Sequence, residues 1–277
     1  MIQSKTPARL LAVVVTALAA LAAFVPGASA AVPNPGYTQF AGCPTAAENP
    51  KIELCLRNDI TGGNFKMGSK NVPISKPIKL TGGTDSEFKN FAYNSEGGLS
   101  KVPQTVPGGV VGLTGLTWLL EFFGVNALSL YATPELAGTP DPNPFKEPIE
   151  LPLKVHLTTP SGVLGNSCYV GSTSNPIKLN LIVGTTSPPP PNEPITGKAP
   201  VLTEDEELFI TKFTNGEFVD NSFAAPGASG CVLTLLGFIP ISLNSIVNSQ
   251  SGLPAPAGTN ETRQVFDAEA TEEALVY

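Results

Sequence analysis

Apolar side chains in this chain alternate with polar ones more often than they recur at helical spacing. The clearest stretch is 149–157. There Ile149, Leu151, Leu153, Val155 and Leu157 fall on one side, and Glu150, Pro152, Lys154 and His156 on the other. A period of two marks a strand buried on one face. Ile52, Leu54 and Leu56 repeat the pattern, as do Ile177, Leu179, Leu181 and Val183. The string Pro-Ile-x-Leu recurs at Pro77–Leu80, Pro148–Leu151, Pro176–Leu179 and Pro240–Leu243. Proline has no N–H for a ladder and is tolerated at a strand's first residue or edge, so each string reads as a strand entry. The longer Gly-Ser-x-x-x-Pro-Ile occurs at Gly68–Ile74 and Gly171–Ile177. It reads either as a duplicated strand-turn unit or as one turn chemistry reached twice.

Turn signals punctuate these runs. Gly62-Gly63 separates Ile52–Ile60 from Asn64–Gly68. Asn215-Gly216 lies between Leu208–Phe213 and Glu217–Phe223 and predicts a hairpin, for which Asn-Gly is the strongest short signal. Thr203–Glu206 fits a capping box, but Phe209, Thr211 and Phe213 alternate and favour strand. Two short helices are expected. One carries Leu116, Leu119, Leu120 and Phe123, stopped by Gly124; the other carries Leu243, Ile246, Val247 and Gln250, ending before Gly252. The apolar stretch Val110–Ala132 contains Glu121 and Asn126, so it reads as buried helix and strand rather than a membrane span. Ser187–Pro191 reads as a stiff surface loop, and Glu261–Tyr277 as a final strand or a frayed tail. The predicted fold is mainly β: an antiparallel sandwich with one or two short helices. It occupies 31–277 as one domain or as two packed β subdomains, 31–135 and 145–277, meeting at the Pro-rich run Pro134–Pro148.

The first thirty residues add a compartment. Lys5 and Arg9 precede an apolar run, Leu10–Val25, then Pro26-Gly27 and the small residues Ala28-Ser29-Ala30. This order is that of a cleavable secretory signal, with Ala28 and Ala30 at the positions read by the peptidase and Ala31 as the mature start. No cysteine stands at the cleavage point and the arginines are unpaired, so neither a lipoprotein nor a twin-arginine route is indicated. No transmembrane anchor is expected after processing. Cleavage leaves 14 basic residues against 23 acidic ones, near −9, with no Lys/Arg cluster. Nucleic-acid binding, which needs basic patches, is set aside. Cys43, Cys55, Cys168 and Cys231 are an even set in an exported chain and suggest two disulfides. Of three connectivities, Cys43–Cys55 with Cys168–Cys231 is favoured because its first pair is local. By the chain-entropy model the two bridges contribute about 3 and about 4 kcal/mol.

Leu151–Leu157 (LPLKVHL), Leu164–Leu181 (LGNSCYVGSTSNPIKLNL) and Val219–Cys231 (VDNSFAAPGASGC) resemble stretches of uncharacterised exported, β-rich proteins of actinobacteria. The resemblance covers about half the mature chain, mostly its second half. It implies export and sets Cys168 and Cys231 in characteristic contexts, and it carries no activity across.

Chemical motifs are sparse. His156 is the sole histidine and the only base for a Ser-His-Asp device; on a strand's polar face it reads as a solvated side chain. Gly227–Cys231 misses the G-x-S-x-G elbow, since Cys231 replaces the last glycine. Ser86-Glu87-Phe88-Lys89 matches S-x-x-K without its companion motifs. Glu204–Glu207 reads as a solvated acidic turn rather than a calcium site. No phosphate-binding loop is present, so no nucleotide and no cofactor is expected. Glu121, Asp85 and Asp220 remain as candidates for carboxylate-pair hydrolysis. The expected role is a non-enzymatic exported or cell-envelope protein, structural or ligand-binding, with an extracellular carboxylate-dependent glycan hydrolase as the alternative.

Overall fold

Antiparallel strands make up most of the regular secondary structure among the described residues, as the alternation predicts. The computed structural model describes residues 31–115, 129–143 and 147–277, and Val32–Tyr277 forms one compact unit. In chain order the strands begin with β1 (Leu54–Met67), β2 (Lys70–Pro73), β3 (Ile78–Thr84), β4 (Gly98–Leu99) and β5 (Gln104–Thr105). Next come β6 (Tyr131–Leu136), β7 (Ile149–Thr158), β8 (Tyr169–Val170), β9 (Ile177–Leu181) and β10 (Val201–Asp205). The series ends with β11 (Ile210–Asp220), β12 (Ala228–Ser229), β13 (Val232–Leu235), β14 (Ile239–Ser242) and β15 (Glu261–Glu272). Among the described residues three short α-helices accompany them: α1 (Gly109–Thr114), α2 (Asn244–Ser251) and α3 (Glu273–Val276). The helix expected over Leu116–Phe123 lies outside the described residues, as do Ala28, Ala30 and Glu121. The one expected from Leu243 is α2.

Two sheets face each other. The first runs β10-β11-β15-β1-β3-β4, with β2 also on β1; the second runs β12-β8-β7-β6-β5, with β9 also on β7. Each draws strands from before and after the Pro-rich run. Leu151, Leu153, Val155 and Leu157 of β7 are buried, and Ile177, Leu179 and Leu181 of β9 join them. From the first sheet Ile60, Ile78, Phe218 and Phe266 complete the core. The sheets meet at a corner, where Ile182 and Val219 exchange backbone hydrogen bonds of 3.1 and 2.9 Å. In three of the four Pro-Ile-x-Leu strings the proline stands just before β3, β7 or β9, where no ladder N–H is needed. The two Gly-Ser-x-x-x-Pro-Ile strings differ in structure: the first contains β2, while the second is a turn leading into β9.

The hairpin expected at Asn215-Gly216 does not form. β11 runs straight through these residues, with one extra residue between Phe213 and Gly216 opposite β15. The Gly62-Gly63 break is likewise a bulge inside continuous β1, between Ile60 and Gly62. Both dipeptides supply positive φ, Asn215 at 57° and Gly63 at 107°, which a bulge uses as readily as a turn. Asp267 Oδ1 accepts the Asn215 N–H at 2.8 Å, holding the bulge in place. A Cβ on Gly63 would sit 1.9 Å from the Arg263 carbonyl oxygen, so only glycine fits there. The two bulges flank β15 at the level of Phe266. Its ring occupies the space a side chain at Gly216 would need, 2.4 Å from the ideal Cβ, and stacks on Phe218 with centroids 3.8 Å apart.

Each disulfide closes a different region. Cys43–Cys55, with Cα atoms 5.5 Å apart, lies in a small second core with Tyr37, Phe40, Ile52, Ile210 and Val276. The chain's last residues are clasped there. Val276 accepts the Asn34 N–H at 2.7 Å, Glu273 Oε1 accepts the Ala46 N–H at 2.7 Å, and Tyr277 donates its hydroxyl to the Cys43 carbonyl at 2.9 Å. Burial pushes the Tyr277 phenol pKa up. Cys168–Cys231, with Cα atoms 4.2 Å apart, fixes the base of the β13–β14 hairpin to the start of β8. Two disulfides and no free cysteine fit an oxidising compartment.

Candidate functional site: a cavity between the sheets

Small residues on β15 open a space between the two sheets. On the inward face of β1 stand Leu54, Leu56, Asn58 and Ile60; β15 sets Glu272, Ala270, Ala268 and Phe266 beside them in register. At the centre, Ala268 and Ala270 stand where neighbouring rows carry larger groups. The register continues to Phe213 and Thr211 on β11, and to Leu80 on β3. The second sheet closes the opposite side with Ile149, Leu151, Leu181 and Val183. The result is a cavity of about 690 Å³ with a mainly apolar lining, within the usual size range of small-molecule sites, roughly 300–1,000 Å³.

Two amide oxygens in this lining have no partner. Asn58 Oδ1 and Gln264 Oε1 are both shielded from solvent and make no hydrogen bond. Gln264 is 3% exposed, and its Nε2 donates to Thr262 Oγ1 at 3.3 Å. An unpaired buried acceptor costs about 1–3 kcal/mol, so both are primed for a donor. Glu147, Glu204, Glu269 and Glu272 also line the space, beside one cation, Arg57, which is paired with Asp59, and they give its open side a negative character. Glu147 Oε1 is already engaged by the Val183 N–H at 2.9 Å. Phe88 and Phe209 border the site too. Both have positive φ, 58° and 49°, and the Phe209 carbonyl is held by the Thr271 hydroxyl at 3.1 Å.

Of the residues considered for catalysis, Asp85 and Asp220 are not brought together here. Neither Asp85 nor Asp220 lines the cavity. Asp220 is fully buried. Its Oδ2 accepts the Asn180 N–H at 2.7 Å, and its Oδ1 accepts the Ser222 N–H at 2.8 Å and hydroxyl at 3.0 Å. It ties the end of β11 to β9. Asp85 closes a surface turn, accepting the Lys89 N–H at 2.7 Å and Asn90 Nδ2 at 2.6 Å. Those bonds, the Lys89 amide first, hold its carboxyl below the usual pKa range. In the S-x-x-K string Lys89 donates to Glu87 at 2.6 Å, and the Ser86 N–H goes to Glu53 at 2.8 Å. Asp205 accepts the Leu208 N–H at 3.2 Å and Lys212 Nζ at 2.9 Å, so the acidic run 204–207 includes the β10–β11 turn. Its pKa is lowered, chiefly by Lys212. His156 is half-buried rather than solvated. It stacks on Tyr169 at 4.3 Å, pairs Nε2 with the Asn166 carbonyl at 3.1 Å and sets Nδ1 3.8 Å from Glu135.

Among the described residues no group of three or more His, Cys, Asp or Glu could hold a metal. No helix among them is long and apolar enough to cross a membrane. Alternation marks Leu54, Leu56, Ile149, Leu151, Leu181 and Val183 as strand residues but not as cavity lining; the local signal of the cavity is the pair of small residues Ala268 and Ala270 inside a β-forming segment. No protein-family model matches the chain, and no curated protein or solved structure matches it.

Proposed function

We propose that this chain is an exported, non-enzymatic protein that binds an uncharged, largely apolar small molecule carrying a hydrogen-bond donor. The cavity of about 690 Å³ between the sheets, with two unpaired acceptors in an apolar lining, carries the reading. Apolar walls supply affinity, while Asn58 and Gln264 select a hydroxyl or amide N–H over a pure hydrocarbon, since an unmatched acceptor stays costly. The glutamates at the open side oppose an anionic ligand. Export is supported by the charged, apolar, small-residue order of residues 1–30 and by the two disulfides.

Titration with the neutral fluorophore N-phenyl-1-naphthylamine should give saturable binding at one site per chain, displaced by a long-chain alcohol and poorly by the matching carboxylate. Ala268→Trp should fill the cavity and weaken binding at least tenfold, with cooperative unfolding retained. Unchanged binding in that variant would refute the reading. Turnover of a glycan substrate that disappears in Glu269→Gln, which removes a carboxylate lining the cavity, would replace it with carboxylate-dependent hydrolysis.

A further inference from the structure

A second apolar surface stands apart from the cavity lining. In the β13–β14 hairpin Leu236 is 80%, Phe238 72%, Ile239 43% and Ile241 40% exposed. Adjacent strand residues point to opposite faces, so Ile239 and Ile241 share one face of the ribbon with Leu235 and Leu233, and the other face carries the uncharged Thr234, Pro240 and Ser242. Neither face carries a charge that would resist entry into lipid. The base, by contrast, is rigid. Cys231 is bonded to Cys168, Leu233 and Leu243 are buried, and Asn244 Oδ1 accepts the Cys231 N–H at 2.8 Å.

Charge marks the same region. No Asp, Glu, Lys, Arg or His occurs from Asn221 to Asn260, in a chain of formal net charge −7. The turn adds a third observation. Leu236 and Gly237 have φ of 52° and 80°, a pair of positive values that hairpins usually fill with Asn-Gly. A bulky leucine held there is strained, and it places its side chain at the apex. From Leu233 the ribbon projects four residues to Gly237, roughly 13 Å at strand rise. Interfacial elements enter a lipid layer by roughly 5–10 Å, so the outer part of the ribbon, from Leu236 to Ile239, fits that depth and its base stays outside.

We propose that the β13–β14 hairpin is a lipid-contact element that inserts Leu236, Phe238 and Ile239 into the interfacial layer of an uncharged or zwitterionic lipid surface. Because the region lacks cations, attachment does not depend on anionic headgroups, and the chain's negative charge opposes them. This inference goes beyond the cavity reading and stands on different residues.

Flotation of the protein with phosphatidylcholine vesicles tests it. The protein should float with the vesicles to the same extent in 50 and 500 mM salt, and less with phosphatidylglycerol vesicles at low salt. Leu236→Asp with Phe238→Asp should reduce partitioning at least tenfold while leaving naphthylamine binding intact, which also shows that the variant folds. Phe238→Ser alone should give an intermediate loss. Failure of the wild type to float overturns the proposal, as does unchanged flotation of the double variant. Self-association abolished by the double variant, without flotation of the wild type, assigns the hairpin to a second copy of the chain instead.

Discussion

The cavity and the β13–β14 hairpin both present apolar surface that the fold itself leaves uncovered, and they do so in opposite shapes. In the cavity the apolar groups line a concave space between two rigid sheets, and the buried polar atoms among them are short of partners. At the hairpin the apolar groups are convex, gathered at the apex and along one face, and no charge lies near them in the chain. A concave apolar space takes a molecule in; a convex apolar tip goes into something larger. The same side-chain chemistry therefore serves two recognition modes, and the backbone decides which. Ala268 and Ala270 hollow the sheet, whereas Leu236 at positive φ lifts an apex.

Phenylalanine gives the sharpest test of that contrast. Phe266 is buried, stacked on Phe218 and seated over Gly216 between the two bulges. Phe266→Ala should cost about 3–5 kcal/mol in denaturant unfolding, the range for a buried aromatic. Phe238→Ala should change stability by no more than about 0.5 kcal/mol, as at exposed positions. Equal effects would mean that the hairpin is packed as firmly as the core.

The next effects are smaller and carry the opposite sign. Asn58→Leu removes an unpaired acceptor from the cavity wall and should raise stability by about 1 kcal/mol, while lowering the preference for alcohols over hydrocarbons. Destabilisation would show that Asn58 is satisfied in solution. Leu236→Asn relieves a left-handed residue worth roughly 1–2 kcal/mol of strain in leucine. It should raise the unfolding midpoint by a degree or more and weaken vesicle attachment. A lower midpoint would remove the argument that the apex is strained for function.

The sequence made some of this legible and not the rest, for physical reasons. Strands with one buried face, β7 and β9 above all, are visible because burial enforces a period of two. Strand entries marked by proline are visible because the missing N–H restricts where proline can stand. The local disulfide is favoured because Cys43 and Cys55 stand only twelve positions apart. Asn215-Gly216 was misleading because positive φ suits a bulge as well as a turn, and only the neighbouring strand decides between them. The cavity lies across strands whose pairing is long-range, β1 with β15 and β11 with β15, so no local pattern reveals that Ala268 stands beside Asn58. The hairpin left a local trace, the charge-free run around Gly237, which strand periodicity alone does not pick out.

The position of β15 has a consequence for how the molecule is made. The final strand of the chain is an interior strand of the larger sheet, flanked by β1 and β11. Until residues 261–272 have been synthesised, both neighbours have an open edge and Phe218 lacks its stacking partner. Closure must bring Leu54 to Glu272 across nearly the whole chain, and pairings of such separation form slowly. The larger sheet therefore cannot close before residues 261–272 are in place, whatever has already formed upstream.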